Sequence, residues 1–418
     1  MSAIDQQVLE PIFEPLIELN NPEKTFFKEI FYNYANFGTV SKSLSVTLGD
    51  LSFGSVKEFR IPSGGDLLTK MYLNVTLPAV HTNIVTGSTY ANWVNNVGHA
   101  LISNLELCVS NTKVDSHSGV FLDIWNELTD ENKKEWRSIG KFEDILELKT
   151  FQTNQTTYRI PLKFFFNRNN GVALPLFVLG EDTVKIKVAV NSLANLIKFD
   201  GGGAITDRNI VSFELGYDVV ILSNTEKEAI RRNIPSEMLI ETVQSFENLT
   251  SFNNLSLENP VKELMFVFQK NARKASANPQ ITLNKSTAKG NDIFNYSGTS
   301  TANSQDYDAI NTAYIKWGVN DITEGSEPAK FFREEQVQKY HSRNSDKNIY
   351  VYSFDIKPED YKPSGYFNFS RDISKYLSFT FGGLEADTTL NVYALTYEYL
   401  FVQDGRGDKR DVPIEGAN

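Results

Sequence analysis

The sequence predicts an all-β chain of two tandem antiparallel eight-stranded jelly-roll β-sandwiches with long loop insertions and short helices. Three observations carry that reading. Apolar and polar residues alternate with a period of two through most patterned segments, the signature of strands with one buried face. Aromatics make up 12% of the 418 residues, with 29 Phe and 18 Tyr, and such rings suit pleated, half-buried surfaces. The length exceeds one ordinary core at roughly 150 residues per domain. Each half holds its own set of strands and insertions, a duplication of architecture without a residue-level repeat.

In chain order, residues 1–24 read as an N-terminal arm: Ile12, Phe13, Leu16 and Ile17 are apolar, but Pro11, Pro15 and Pro22 deny a long helix. The first jelly roll is assigned to 25–222. Within it "FYNYANFGTVSKSL" (31–44) reads as a strand that packs against a neighbour, since its aromatics lack the basic interleaving of a single-stranded nucleic-acid surface. Leu73, Val75 and Leu77 alternate with polar partners, as do Leu105, Leu107 and Val109. Val184, Ile186, Val188 and Val190 follow the same rule, and so do Phe213, Leu215, Tyr217, Val219 and Ile221. "HSGVFLDIWNELTDENKKEWRSIG" (117–140) is a helical insertion.

Residues 223–244 are assigned as a helical linker, opened by a capping pair Thr225/Glu228 and stopped by Pro235. The second jelly roll, with a C-terminal tail, takes 245–418. It opens with "PVKELMFVF" (260–268), a mostly apolar strand, and carries a long polar stretch over 269–349 of the kind that usually bears contacts. Then Tyr350, Tyr352, Phe354 and Ile356 share one strand face while Val351, Ser353 and Asp355 share the other. Pro358, Pro363 and Gly365 break that strand at a corner, after which Phe367 and Phe369 resume the alternation. Leu377, Phe379 and Phe381 mark the next strand, and Tyr393, Leu395, Tyr397, Tyr399 and Phe401 the last long one.

Composition excludes several functions. A formal charge of -11 argues against wrapping nucleic acid, which needs clustered Lys and Arg. Cys108 is the only cysteine, so no intrachain disulfide forms, and a reducing compartment fits. The start has no basic region ahead of an apolar core, and no run of about 18 apolar residues occurs. The reading is a soluble protein made in the cytosol.

No constellation reads as catalytic or metal-binding. His81, His99, His117 and His341 are scattered; His99, Cys108 and His117 sit nine apart, but no short-range ligand pair accompanies them. No G-x-S-x-G elbow frames a Ser-His-Asp triad, and the "DGGGA" turn at 200–204 lacks the Gly-Lys-Ser/Thr ending of a phosphate loop. Glu334 with Glu335, and Glu359 with Asp360, read as solvated rather than as an acid pair. Arg406-Gly407-Asp408 matches an adhesion tripeptide and reads as part of a mobile polar tail. Sequons stand at Asn74, Asn154, Asn248, Asn254, Asn284, Asn295 and Asn368, none assigned as a glycan site. The assignment is no catalytic residue, no cofactor and no metal.

Seven phrases then occur in order: "SGGDLLTKMYLNVTLPAV" (63–80), "WVNNVGHALISNLEL" (93–107), "DIWNELT" (123–129), "IPLKFFFNRNNGVALPL" (160–176), "PVKELMFVFQ" (260–269), "IYVYSFDIKPEDYKPSGYFNFSR" (349–371) and "VYALTYEYLFVQDGRG" (392–407). Together they resemble the major capsid protein of large eukaryotic DNA viruses. The resemblance implies two jelly rolls side by side, a homotrimeric capsomer of pseudo-hexagonal outline, and trimers tiling an icosahedral shell. It also implies contacts with minor capsid and penton proteins, proximity to an inner membrane, no direct nucleic-acid contact, and a virion protein synthesised and assembled in the host cytoplasm. The competing reading is a tandem β-sandwich carbohydrate-binding protein or glycoside hydrolase, which would act as a monomer.

Overall fold

The computed structural model describes residues 36–410 apart from 47–49, 81–84, 87–90, 144–153, 182, 200–203, 206–207, 234–235, 253, 275–291, 299–307, 372–375 and 404. The arm at 1–24, His81, Asn284, Pro235 and most of the 200–204 turn lie outside the described residues. From Gly38 onward the chain is one compact unit.

The first roll is built from β1 (Phe37–Ser45), β2 (Val56–Arg60), β3 (Leu67–Leu77), β4 (Ile102–Val109), β5 (Thr112–His117), β6 (Thr156–Pro161), β7 (Val184–Val190) and β8 (Ser212–Leu222). They form two sheets, ordered β1-β8-β3-β6 and β2-β7-β4-β5. Early strands alternate with late ones in each sheet, which is the jelly-roll winding. The period-two pattern does what the sequence indicates: in β7 the four valine and isoleucine side chains are buried and the lysines between them half-buried. Ile221 departs from it, lying exposed near the end of β8. β1 is an edge strand, largely exposed.

The second roll repeats the winding with β9 (Ser236–Leu249), β10 (Pro260–Lys270), β11 (Thr312–Trp317), β12 (Asn320–Asp321), β13 (Tyr350–Ser353), β14 (Leu377–Gly382) and β15 (Thr388–Gln403). One sheet runs β9-β15-β10-β13, and the other places β14 beside β11 and β11 beside β12. Where the counterpart of β2 would lie, a single bridge joins Leu255 to Leu377. A further strand, β16 (Arg406–Arg410), pairs with Tyr399–Gln403 of β15, beyond the point where β10 leaves it at Thr396.

The "PVKELMFVF" run is explained by where β10 sits. Leu264, Phe266 and Phe268 belong to the core of the second roll, whereas Met265 and Val267 join the core that fills the first. β15 divides likewise, with Val392 and Ala394 on one side and Tyr393 and Leu395 on the other. The β9-β15-β10-β13 sheet is thus buried on both faces, which is the condition that removes alternation from a strand. The first roll's core extends onto the outer face of this sheet, so the rolls meet across an apolar seam while the second keeps its own core.

Three sequence-based expectations need correction. The linker helix is α2, Asn224–Arg232, and residues 236–249 are already β9. Its N-cap is Ser223, whose hydroxyl accepts from the Glu226 N–H at 3.3 Å, so Ser223/Glu226 takes the place of Thr225/Glu228. Arg406-Gly407-Asp408 is not a tail but β16, held by main-chain pairing. Ile356 is exposed while Asp355 is buried: the strand ends at Ser353, and a polar turn, not an apolar face, organises the chain beyond it.

Candidate functional site

Among the described residues no cluster of three His, Cys, Asp or Glu side chains is placed to hold a metal. The structure concentrates its buried polar groups instead along the seam between the rolls. Helix α1 (Gly119–Thr129) is started by Ser118, whose hydroxyl accepts from Phe121 N at 3.2 Å. The same hydroxyl lies 3.1 Å from the Tyr393 phenol of β15. Asp123 and Glu127, four apart, share one side of the helix. Both are buried.

Asp123 receives Lys347 Nζ on both oxygens at 2.7 Å, Asn96 Nδ2 at 2.8 Å and the Tyr296 phenol at 2.9 Å. Glu127 is met by Lys141 at 2.8 Å, Arg343 at 3.0 Å and Lys347 at 3.3 Å. Burial alone would raise the Glu127 carboxyl, but the three cations outweigh it and hold it down at about 2. Burial also opposes the Lys347 charge, yet Asp123 and Glu127 push its pKa above the usual lysine value. Tyr296 is driven well upward by burial and then by Asp123, so it stays a phenol and donates. Each carboxylate comes from the first roll; Lys347, Arg343 and Tyr296 come from the second. A cavity of about 300 Å³, lined in part by Glu127, Trp136, Lys141, Phe294 and Lys347, borders the group.

A second tie crosses the same seam. Asp115 on β5 accepts the Val243 N–H of β9 at 3.0 Å and pairs with His117 Nε2 at 2.9 Å. The His117 ring lies between Phe121 and Phe164, with centroids at 4.8 and 4.9 Å. A third tie links Arg168 of the first roll to Glu241 of β9 at 2.8 Å, and Lys262 of β10 to the same carboxylate at 2.5 Å. β16 closes the far side: Gly407 N donates to the Ser110 hydroxyl at 2.8 Å, and Gly405 N to the Val178 carbonyl at 2.8 Å.

The Pro-Ser-Gly corner is fastened onto this frame. Asp355 accepts the N–H groups of Lys357 at 2.9 Å and Ser364 at 3.3 Å, the Ser364 hydroxyl, and the Tyr397 phenol at 3.2 Å. Tyr361 donates to the Leu239 carbonyl. His341 spans Glu263 at 2.5 Å and Glu359 at 3.1 Å. Burial disfavours its charge, but the two carboxylates prevail and raise it to about 9, so both ring nitrogens donate.

Two family models cover nearly the whole chain: "Major capsid protein N-terminus" over residues 25–213 and "Large eukaryotic DNA virus major capsid protein" over 226–406. The chain belongs to the major capsid proteins of large eukaryotic DNA viruses. It is similar to the major capsid protein of Phaeocystis pouchetii virus, 26% identical over 497 residues, covering 93% of this chain and 95% of that one. The Pyramimonas orientalis virus major capsid protein is 28% identical over 417 residues, covering 93% of each. In structure the fold matches PBCV-1 VP54, fitted into a reconstruction of the virophage Sputnik, at 22% identity with a TM-score of 0.73, covering 93% of this chain and 100% of that one. It also matches the Faustovirus major capsid protein at 13% identity with a TM-score of 0.69, covering 96% and 98%. This capsid protein is therefore a structural, non-enzymatic component of the virion, and it self-associates.

The residues weighed from sequence fall into structural places. His99 is buried and accepts from Asn96 Nδ2 at 3.1 Å; burial, then Lys141, Lys163 and Lys347, hold it well below the usual histidine value, so it is neutral. Cys108 registers with Lys113, whereas His117 registers with Leu105, three residues away along β4. Glu334 pairs with Arg333 at 3.1 Å, and Glu359 receives the Ser342 N–H at 2.8 Å as well as His341. Asn295 is buried, accepting from Arg273 at 2.8 Å and Ser297 at 3.1 Å. The seam residues Asp123, Glu127, Arg343 and Lys347 give no local sequence signal, since the two carboxylates and the two cations that pair across the seam stand more than 200 positions apart.

Proposed function

We propose that this capsid protein forms homotrimeric capsomers of pseudo-hexagonal outline that tile an icosahedral shell, with each jelly roll supplying one of six like positions. The observation that supports this most is the buried seam. Two sandwiches of the same winding are joined by a buried apolar seam and by the Asp123–Lys347 and Glu127–Arg343 pairs, so one chain carries two like units at a fixed orientation. Three such chains around an axis present six. In the shell the capsomers would meet each other, minor capsid and penton proteins, and face an inner membrane, after synthesis and assembly in the host cytoplasm. A division into a first roll from 25 to 222, a linker carrying the helix Asn224–Arg232, and a second roll that opens with β9 at Ser236, with the arm at 1–24 turned inward, belongs to the same proposal, as does the lack of a catalytic, cofactor or metal site.

Light scattering behind a sizing column tests it. A mass near three times 47.2 kDa, stable on dilution, is the expected result. A clean monomer that binds a glycan array would overturn the proposal in favour of the carbohydrate-binding reading.

A further inference from the structure

Two polar atoms beside Asp123 have no partner among the described residues: Asn96 Oδ1 and His99 Nε2. Both belong to one short chain of groups. Asn96, buried and at φ 57°, stands ahead of the helix Val97–Leu101, where its N–H donates to the Gly140 carbonyl at 2.9 Å and its carbonyl accepts from Ala100 N at 3.0 Å. Its side-chain NH2 then serves two acceptors, the Asp123 carboxylate at 2.8 Å and His99 Nδ1 at 3.1 Å. Asp123 fixes which way round this amide sits, because the opposite orientation would set Oδ1 against a carboxylate oxygen. His99 Nδ1 is therefore an acceptor, and the proton of the neutral ring is on Nε2.

Asp123 in turn holds Lys347 and Tyr296 of the second roll, so the order His99, Asn96, Asp123, Lys347 runs from inside the first roll across the seam. A second proton on the ring is incompatible with that order. Protonated Nδ1 would meet the Asn96 NH2 donor against donor, and turning the amide to offer its idle Oδ1 would press that oxygen on Asp123. The new charge would also fall among cations. Facing the ring are Lys141 after the helix Trp136–Ile139, Lys163 after β6 and Lys347 from the second roll, against Glu127 and, through Asn96, Asp123 of α1. Arg137 and Arg159, on the helix and strand that also pack here, are exposed, and Glu106 of β4 takes Asn104 Nδ2. Burial first, then the three lysines, hold the ring well below its ordinary 6.5, with Glu127 opposing. The neutral ring therefore favours the closed seam fully above about pH 6.5, and that contribution is lost as pH falls from there toward the folded value. The cavity of about 300 Å³ is lined by Asn96 and Lys347 and also by exposed Glu143 and Asp346, which gives a proton a path to a ring with no exposed surface of its own.

We propose that His99, Asn96 and Asp123 form an acid-operated latch on the joint between the two rolls. Proton uptake at His99 turns Asn96 from Asp123, repels Lys347 and loosens the seam while each sandwich keeps its own fold, so that on acidification the angle between the rolls is no longer fixed. The latch belongs to the single chain and stands whether or not the capsomer reading does.

Hydrogen exchange read by mass spectrometry on the purified full chain, from about pH 7.5 to about pH 5 and corrected for the pH dependence of intrinsic exchange, tests it. The reporter is the segment 341–349, where Arg343 N donates across the seam to the Leu128 carbonyl at 3.2 Å. One proton taken up per opening multiplies the open population about tenfold for each pH unit below 6.5, so protection there should fall about thirtyfold by about pH 5. Val184–Val190 of β7, inside the first roll, should keep its protection. His99→Gln, whose amide oxygen can take the same bond from Asn96 and does not titrate in this range, should hold the protection of 341–349 within about threefold. Wild-type protection that is flat over the range would overturn the latch without recourse to any variant. So would a loss shared equally by Val184–Val190, which is acid unfolding of the chain, or a His99→Gln protein that opens as steeply as the parent, which places the proton on another group.

Discussion

Replacing Asp355 by alanine should unfasten the corner that follows β13. The magnitude follows from counting the donors left behind. Of the four groups that Asp355 accepts, Lys357 N keeps the Ser364 hydroxyl at 3.0 Å, and Ser364 itself is exposed to water at its side chain. The loss therefore concentrates on the Tyr397 phenol, whose ring is buried, and on Ser364 N. A buried donor stripped of its acceptor costs about 1–3 kcal/mol, so the pair costs about 2–6 kcal/mol, centred near about 4 kcal/mol. At about 2–4 °C per kcal/mol for a domain of this size, the second roll should melt about 10 °C lower. Differential scanning calorimetry on the purified protein, with Ile356→Ala as an exposed control, reads this directly. The paired change Pro363→Ala/Gly365→Ala should act alike, because a Cβ at Gly365 would stand 2.5 Å from the Phe354 carbonyl oxygen and 3.1 Å from Asp355 Cα, main-chain atoms with no room to yield. A drop of less than about 2 °C for Asp355→Ala, or one equal to the control's, would refute the account of the corner.

Three further outcomes follow. His341 is held protonated to about 9 in the fold against 6.5 for the free side chain; its stabilisation, about 3 kcal/mol, is complete below pH 6.5 and is lost as pH rises through about 9. Urea midpoints from pH 6 to 10 should fall through that window and do so less in His341→Gln; identical slopes would remove His341 as the cause. Gly407→Val should cost about 1–3 kcal/mol by overpacking against Val109 and Leu179, and limited proteolysis should then release the segment after Gln403 faster than in the parent. Asp123→Asn and Lys347→Met should each cost about 3 kcal/mol, because each leaves a buried charge behind, and the double variant should lose less than the sum; additive losses would show that the two groups do not act as a pair.

What the sequence shows of this fold follows from which contacts are local. β7 is legible because one face meets a core and the other a half-wetted surface, so alternation survives. β10 is legible only as an apolar run: its second face is buried by the other roll, and nothing nearby in sequence says what lies there. The corner misleads for a physical reason. Ile356 has the spacing of a buried strand residue, but the chain leaves the sheet at Ser353 because Asp355 gathers turn N–H groups, and alternation does not encode that exit. The C-terminal tripeptide, charged and near the end, reads as tail; its strand depends on the open edge of β15 beyond Thr396, which only the folded sheet supplies. Asp123 and Glu127 have the spacing of an ordinary exposed helix face, and they become a seam only when residues 341–348 are folded against them.

That seam explains why a structural protein keeps so many charges out of water. An apolar interface between two sandwiches resists separation but resists sliding weakly, since one buried methyl replaces another at small cost as the surfaces shift. Asp123 takes Lys347 on both oxygens and a phenol besides, and Asp115 takes one particular N–H of β9; a shift of one ångström breaks these bonds while barely changing the buried area. Replacing such pairs by apolar groups of the same shape is often neutral or favourable for stability, so stability alone does not account for them. Their geometric effect does: they set the angle between two rolls whose outer faces must meet the same neighbours at every position of a shell. Lys347→Met paired with Asp123→Leu and with Tyr296→Phe, which removes the phenol that would otherwise lose its acceptor, is thus the discriminating variant, expected to melt within a few degrees of the parent yet to give particles of broadened size, and uniform particles from it would assign the seam to stability and not to shape.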